Sequence, residues 1–260
     1  MDRNKALPEL AIDSELAIAN ENSEEQLSLV DHIKELRKRL IYCMIVVTGC
    51  FFGIITYGTD WLMQLLTSPV KERGINLIFL GLSEVLTAQI KVAFIAAIIV
   101  SMPIILWQIW DFIKPALYVD ERKGVLIFTF WSLLLFVLGV SFGYGVVFVS
   151  AITFFVYIGE NIATPMLSIS QYIGFMFSFV LSFGLVFEMP VITFVLCRLG
   201  ITTPQQLKEL RKYAVLVIFI VAAFLTPPDV FSQILMAAPM LVLYEVGIWA
   251  AKLGGPGDKR

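Results

Sequence analysis

Six apolar stretches, near Leu40 to Tyr57, Val92 to Trp110, Val125 to Ser150, Tyr172 to Cys197, Tyr213 to Leu225 and Phe231 to Ala251, occupy most of this 260-residue chain. As helices rising about 1.5 Å per residue, most of them cross a hydrocarbon core about 30 Å thick. The pattern predicts an all-α polytopic membrane protein with six transmembrane helices, the last two of them short. An even number of spans puts both termini on one side. Of 19 Lys and Arg residues, 16 fall before the first span, in the second and fourth connections or at the C-terminus. Only Lys71, Arg73 and Lys91 fall between the other spans. The positive-inside rule therefore places both termini in the cytoplasm.

Composition supports the same class. Hydrophobic residues make up 58% of the chain and its mean hydropathy is +0.85, above the roughly 45 to 50% apolar content of soluble domains. Between Met1 and Val30, seven acidic residues face two basic ones. Residues 1–30 thus read as an acidic, disordered cytoplasmic leader, 31–252 as the membrane domain and 253–260 as a cytoplasmic tail. The leader lacks the basic start, apolar stretch and small-residue cleavage site of a signal peptide. Cys43, Cys50 and Cys197 lie within apolar stretches without disulfide or zinc spacing and read as core residues.

The single histidine, His32, precedes the first span. Intramembrane serine proteases need a serine and histidine within the bundle, and zinc proteases need His-Glu-x-x-His on a helix. No phosphate-binding Gly-x-x-x-x-Gly-Lys-Ser/Thr loop occurs either. The chain therefore reads as neither enzyme nor nucleotide hydrolase, with no metal, cofactor or nucleic-acid partner.

Several local features carry further expectations. Trp61, Leu62, Leu65 and Leu66 recur at helical spacing before Thr67-Ser68-Pro69, predicting a short helix at the outer interface that stops there. Gly139 and Gly143 form a small-x-x-x-small pair, with Gly145 near, where another helix can approach closely. The 13-residue stretch Tyr213–Leu225 is too short for the core, and Thr226-Pro227-Pro228-Asp229 cannot prolong it as a helix. Thr226, Asp229, Ser232 and Gln233 then lie deeper than the outer interface, either as a binding site or beside a locally thinned bilayer.

Glu188, in Phe187-Glu188-Met189-Pro190, is the deepest ionisable residue. A carboxyl there costs about 2.5 to 3.5 kcal/mol on insertion scales and must face the bundle or a wet cavity. A functional role and a structural hydrogen bond to another span are both open. Pro190 removes the partner of the Val186 carbonyl and predicts a kink. Glu245, near the cytoplasmic end, reads as interfacial. On the cytoplasmic side Glu35 and Glu121 each sit within a basic cluster, where they either pair locally, Glu35 with Arg39 at i,i+4, or bind paired guanidinium groups from outside.

Five ordered segments, His32-Ile-Lys-Glu-Leu-Arg-Lys-Arg-Leu40, Ser101-Met-Pro-Ile-Ile-Leu-Trp-Gln108, Lys114-Pro-Ala-Leu-Tyr118 with Glu121, Phe183-Gly-Leu-Val-Phe-Glu-Met-Pro190 and Leu225-Thr-Pro-Pro-Asp-Val-Phe-Ser-Gln233, resemble the TatC family. The likeness runs over roughly residues 31–252. It implies the multispanning receptor core of the twin-arginine protein translocase, which binds twin-arginine signal peptides of folded cargo. The implied partners are single-span TatA- and TatB-type subunits, membrane lipid and further copies of the same chain. The likeness further implies transport driven by the proton-motive force, in a bacterial plasma membrane or, alternatively, a thylakoid.

Carried over by position, Glu35, Glu121 and Arg37 fall in the signal-peptide site and Glu188 is the intramembrane polar residue. Thr226, Asp229 and Gln233 fall in the partner-binding turn, and Pro69, Pro103, Pro190, Pro227 and Pro228 are structural. The long acidic leader and the extra acid Asp120 depart from the family pattern. A proton-coupled solute carrier working through Glu188 and a purely structural scaffold are the competing readings. The first is disfavoured by the lack of an internal repeat, the second by three acids at motif spacing.

Overall fold

A computed structural model describes residues 33–72, 75–114, 125–160, 166–226 and 229–254. The leader, Asp120, Glu121, Pro227 and Pro228 lie outside the described residues. The chain divides into two units, Met1–Ile45 and Val46–Arg260, whose boundary falls inside the first helix, α1 (Ile33–Tyr57).

The second unit continues with α2 (Thr59–Lys71), β1 (Leu77–Ile78), α3 (Glu84–Ile113), α4 (Val125–Phe142), a π-helical turn (Gly143–Phe148) and α5 (Val149–Glu160). There follow β2 (Leu167–Ser168), α6 (Ile169–Val186), α7 (Met189–Arg198), α8 (Pro204–Glu209), α9 (Arg211–Leu225) and α10 (Val230–Gly254). Among the described residues, five helical rods are long and apolar enough to cross a membrane: Ile33–Tyr57, Glu84–Ile113, Leu126–Gly159, Ile169–Arg198 and Val230–Lys252. The molecule is thus a predominantly helical, polytopic integral membrane protein. The rods overrun the apolar stretches of the sequence, so α3 begins at Glu84 rather than near Val92. The fifth apolar stretch forms the 15-residue α9, roughly 22 Å long and short as expected. The last helix is not short. α10 has 25 residues, because Asp229 caps it immediately after the turn and the polar Ser232 and Gln233 are absorbed into its first turn.

The expected stop at Pro69 is also corrected, since α2 continues to Lys71 with Pro69 inside it. A proline removes the amide that would bond the carbonyl four residues earlier, here that of Leu65. That oxygen accepts instead from Ser68 Oγ at 2.8 Å and from Tyr144 Oη at 3.4 Å. One residue on, the Leu66 carbonyl accepts from Tyr172 Oη at 2.7 Å. The helix survives its proline because side chains from the helix itself and from one distant segment replace the lost donor, while Tyr172 ties down the adjacent carbonyl. Tyr172→Phe is expected to lower stability by about 1 kcal/mol and to speed amide exchange at the end of α2 more than in α6; equal exchange in both would contradict the assignment.

Core packing centres on α6, whose Ile173, Met176, Phe179 and Phe183 are fully buried. The glycine pair of the third apolar stretch is its crossing point. A Cβ on Gly139 would stand 2.4 Å from the Phe183 carbonyl oxygen, and one on Gly143 would stand 3.0 Å from that of Phe179. Gly145 has nothing within 4 Å and takes no part. The π-helical turn begins at Gly143, in the same crossing. Further along, Gly247 of α10 lies where a Cβ would meet Thr193 Oγ1 at 2.8 Å, which lets α7 and α10 pack closely. Phe154 and Phe231 stack at 3.4 Å between centroids, joining α5 to α10.

Two features between the helices were invisible in the sequence. β1 and β2 pair in parallel, Leu77 with Leu167 and Ile78 with Ser168. Glu84 ties the same region together, its carboxylate accepting from Leu80 N at 2.5 Å, Gly81 N at 3.3 Å, Ser170 N at 3.2 Å and the Ser168 hydroxyl. At the other end, Thr203 and Gln206 form a capping box for α8, Gly200 turns the chain at φ +72°, and Tyr244 Oη donates to the Leu207 carbonyl at 2.6 Å. Glu245 pairs with Arg211 at 2.6 Å, half-exposed on both sides, in keeping with an interfacial position.

Candidate functional site: a buried acid at a helix break

Phe187 and Glu188 interrupt the fourth rod between α6 and α7, with Pro190 in the first turn of α7. The kink expected from Pro190 is therefore a break two residues earlier, where Glu188 N turns to the Leu185 carbonyl at 3.1 Å. The Glu188 carbonyl accepts from both Val191 N and Ile192 N, at 3.0 and 2.9 Å, so the new helix starts on the acid itself.

The Glu188 side chain is 6% exposed and points into the bundle. Its carboxyl lies beside the Ser132 hydroxyl of α4. Ser132, fully buried, in turn accepts from Trp110 Nε1 of α3 at 3.0 Å. Three helices thus meet at one polar chain inside an apolar cluster of Met102, Leu106, Trp110, Phe136, Val191 and Val195. Carboxyl oxygen Oε1 is buried without a hydrogen-bond partner. A buried polar atom left so costs about 1 to 3 kcal/mol, and such atoms are rare enough to require a reason. Glu188 is legible in the sequence as a deep acid, whereas the pairing of Ser132 with Trp110 is not. The available signal was Trp110 itself, since a buried indole N–H usually finds an acceptor.

The turn after α9 holds the second polar group. Thr226 is buried and its hydroxyl donates to the Ala222 carbonyl at 2.9 Å. Asp229 caps α10, accepting from Ser232 N at 2.7 Å and from the Ser232 hydroxyl. Gln233 Nε2 donates to the Phe219 carbonyl at 3.1 Å, lacing α10 back to α9. All three side chains do structural work in the free chain. Thr226 also borders a groove of about 790 Å³ lined by Phe155, Gln171, Phe175, Ser178 and Leu225.

In the first unit, Glu35 is held by Arg39, with Nε at 3.0 Å and Nη2 at 2.6 Å from the same carboxylate oxygen. The i,i+4 pairing expected from the sequence is therefore formed, with the Glu35 side chain 42% exposed. Arg37 is exposed on the same helix. Pro103 lies inside α3, which runs through it unbroken.

A polytopic bundle with a deep acid at the break in its fourth rod is an integral membrane protein with a polar site inside the bundle. The family described as Sec-independent protein translocase protein (TatC) matches residues 31–239. The chain is 42% identical over 238 residues to the Sec-independent protein translocase protein TatC of Carboxydothermus hydrogenoformans, covering 90% of this chain and 97% of that one. It is 37% identical over 232 residues to that of Escherichia coli strain K12, covering 88% and 90%. A crystal structure of the twin-arginine translocase receptor TatC superposes with a TM-score of 0.80 at 37% identity, covering 86% of this chain and 99% of that one. The chain belongs to the TatC family.

Proposed function

We propose that this protein is the receptor core of a twin-arginine translocase, binding the signal peptides of folded cargo through Glu35 and Glu121, with Arg37 contributing. The observation that carries the reading is the guanidinium already seated on Glu35. An exposed pair of this kind contributes about 0.2 to 1 kcal/mol, so an incoming arginine displaces Arg39 at small cost. A second carboxylate then makes two arginines necessary rather than one. Lysine, a compact point charge, lacks the planar fork that binds a carboxylate bidentately. Restored export of a folded twin-arginine cargo in a bacterium lacking its own TatC tests the reading; failure by a well-expressed, membrane-inserted chain would contradict it.

In this reading α9 is the fifth of six spans and the host is a bacterial plasma membrane; both termini are cytoplasmic, supported by the asymmetry of 16 basic residues against three. The short α9 and the Thr226, Asp229 and Gln233 turn form a lateral site for a single-span TatA- or TatB-type subunit. A polar side chain at such a site adds a hydrogen bond of about 0.6 to 2 kcal/mol to helix association. Thr226→Val with Gln233→Leu is expected to reduce co-purification of that subunit severalfold, while unchanged recovery would leave the turn a connection alone.

Glu188 acts after cargo binding, through proton exchange or a hydrogen bond to an inserted helix, in transport driven by the proton-motive force. Its unpartnered oxygen supports this role. Gln keeps the shape and removes the titration. Glu188→Gln is expected to retain signal-peptide cross-linking and lose transport; full transport would exclude proton exchange at this position.

A further inference from the structure

Indole nitrogen donates and never accepts, whereas a serine hydroxyl has one proton and two lone pairs. The 3.0 Å contact from Trp110 Nε1 to Ser132 Oγ therefore has one sense. It fills an acceptor site on Ser132 and leaves the hydroxyl proton to be donated, and the Glu188 carboxyl lies beside it. Both partners are rigidly held. Trp110 is 4% exposed and stacks on Phe128 at 5.7 Å, and Ser132 is fully buried. Ser132 thus offers its hydroxyl proton to one side of the carboxyl, while Oε1 is buried and unpartnered.

We propose that Trp110 and Ser132 are positioning residues for Glu188, orienting its carboxyl so that Oε1 is presented to an N–H or O–H donor on a helix that enters the bundle during transport. The inference rests on the transport role given to Glu188 above. Trp110 acts only through Ser132, so the two side chains form one device. Removing either end releases the carboxyl to rotate and satisfy Oε1 within the resting bundle, which removes the acceptor the incoming helix needs.

The test uses the full chain in proteoliposomes and reads the Glu188 carboxyl band by difference infrared spectroscopy, assigned by its loss in Glu188→Gln. Trp110→Phe keeps the ring and deletes the N–H; Ser132→Ala deletes the hydroxyl. Both are expected to displace the Glu188 band in the same direction, and the double variant to match Ser132→Ala alone, since the effects run through one path. Transport by Trp110→Phe is expected to fall about fivefold, the worth of one ordinary hydrogen bond, with signal-peptide cross-linking retained. Leu106→Ala, in the same apolar cluster, controls for loosened packing and is expected to leave the band in place. An unmoved band in both single variants, or an equal displacement in Leu106→Ala, would overturn the positioning role. Displaced bands together with full transport by Glu188→Gln would uphold the positioning and overturn the transport role of Glu188 instead.

Discussion

With Glu35→Gln and Glu121→Gln combined, affinity for a twin-arginine signal peptide is expected to fall at least a hundredfold. Charge-assisted hydrogen bonds contribute about 1.5 to 3 kcal/mol each, and every 1.4 kcal/mol is about tenfold in affinity. Two lost bonds at the low end of that range already reach a hundredfold. That range applies once the bound peptide shields Glu35 from water, its side chain being 42% exposed in the free chain; a pair left in solvent contributes only about 0.2 to 1 kcal/mol. Each single Glu→Ala change is expected to cost about tenfold. Gln hurts nearly as much as Ala, since it preserves the shape but loses both the charge and the second acceptor of the fork. The basic neighbours Arg37, Lys38 and Arg39 repel a cationic peptide, so close bidentate geometry must outweigh them. Equilibrium binding to the detergent-solubilised chain measures the effect. An affinity unchanged in the double variant would reduce both acids to ordinary surface pairs.

Gly139→Val is the second change with a large expected effect, and it acts on the fold. Even a bare Cβ at this position stands 2.4 Å from the Phe183 carbonyl oxygen and 2.8 Å from Phe187 Cβ. The nearest obstacle is backbone, so no rotamer change relieves it, and the third and fourth rods must separate. Overpacking costs about 1 to 3 kcal/mol and sometimes more, set against a total stability of roughly 5 to 15 kcal/mol. The separation also disturbs Glu188, because Phe187 precedes it and Ser132 lies on the other rod. A melting temperature lower by at least about 5 °C is expected, with the same change at Gly145, which faces open space, nearly neutral. Equal melting of the two variants would show that the crossing yields without strain.

What the sequence revealed and what it hid follow from the range of the interactions involved. Helical rods depend on runs of apolar residues and on local backbone chemistry, so their existence, the interruption beside Pro190 and the shortness of α9 were all legible. The Glu35 and Arg39 pair was legible for the same reason, four residues apart on one helix. The close approach at Gly139 and Gly143 was visible as a spacing, but its partner, α6, was not. Pro69 misled because its local effect was cancelled by Tyr144, 79 residues away in sequence from the Leu65 carbonyl it serves. The β1 and β2 pairing and the Glu84 clasp join segments more than 80 residues apart, and no periodicity records them. Glu188 announced itself through the cost of burying a carboxyl; Ser132 and Trp110, ordinary members of apolar rods, acquire their role only once three helices meet. Glu121 is placed by its motif alone.

The reading depends most on recognition of paired arginines. Photo-crosslinking of the intact, membrane-inserted chain to a signal peptide bearing Arg-Arg, compared with an otherwise identical Lys-Lys peptide, measures it directly. Adducts at the segments carrying Glu35 and Glu121 with the Arg-Arg peptide, and at least tenfold fewer with Lys-Lys, are the predicted result. Equal adduct yields with both peptides would contradict the assignment of this chain as the receptor that reads the arginine pair.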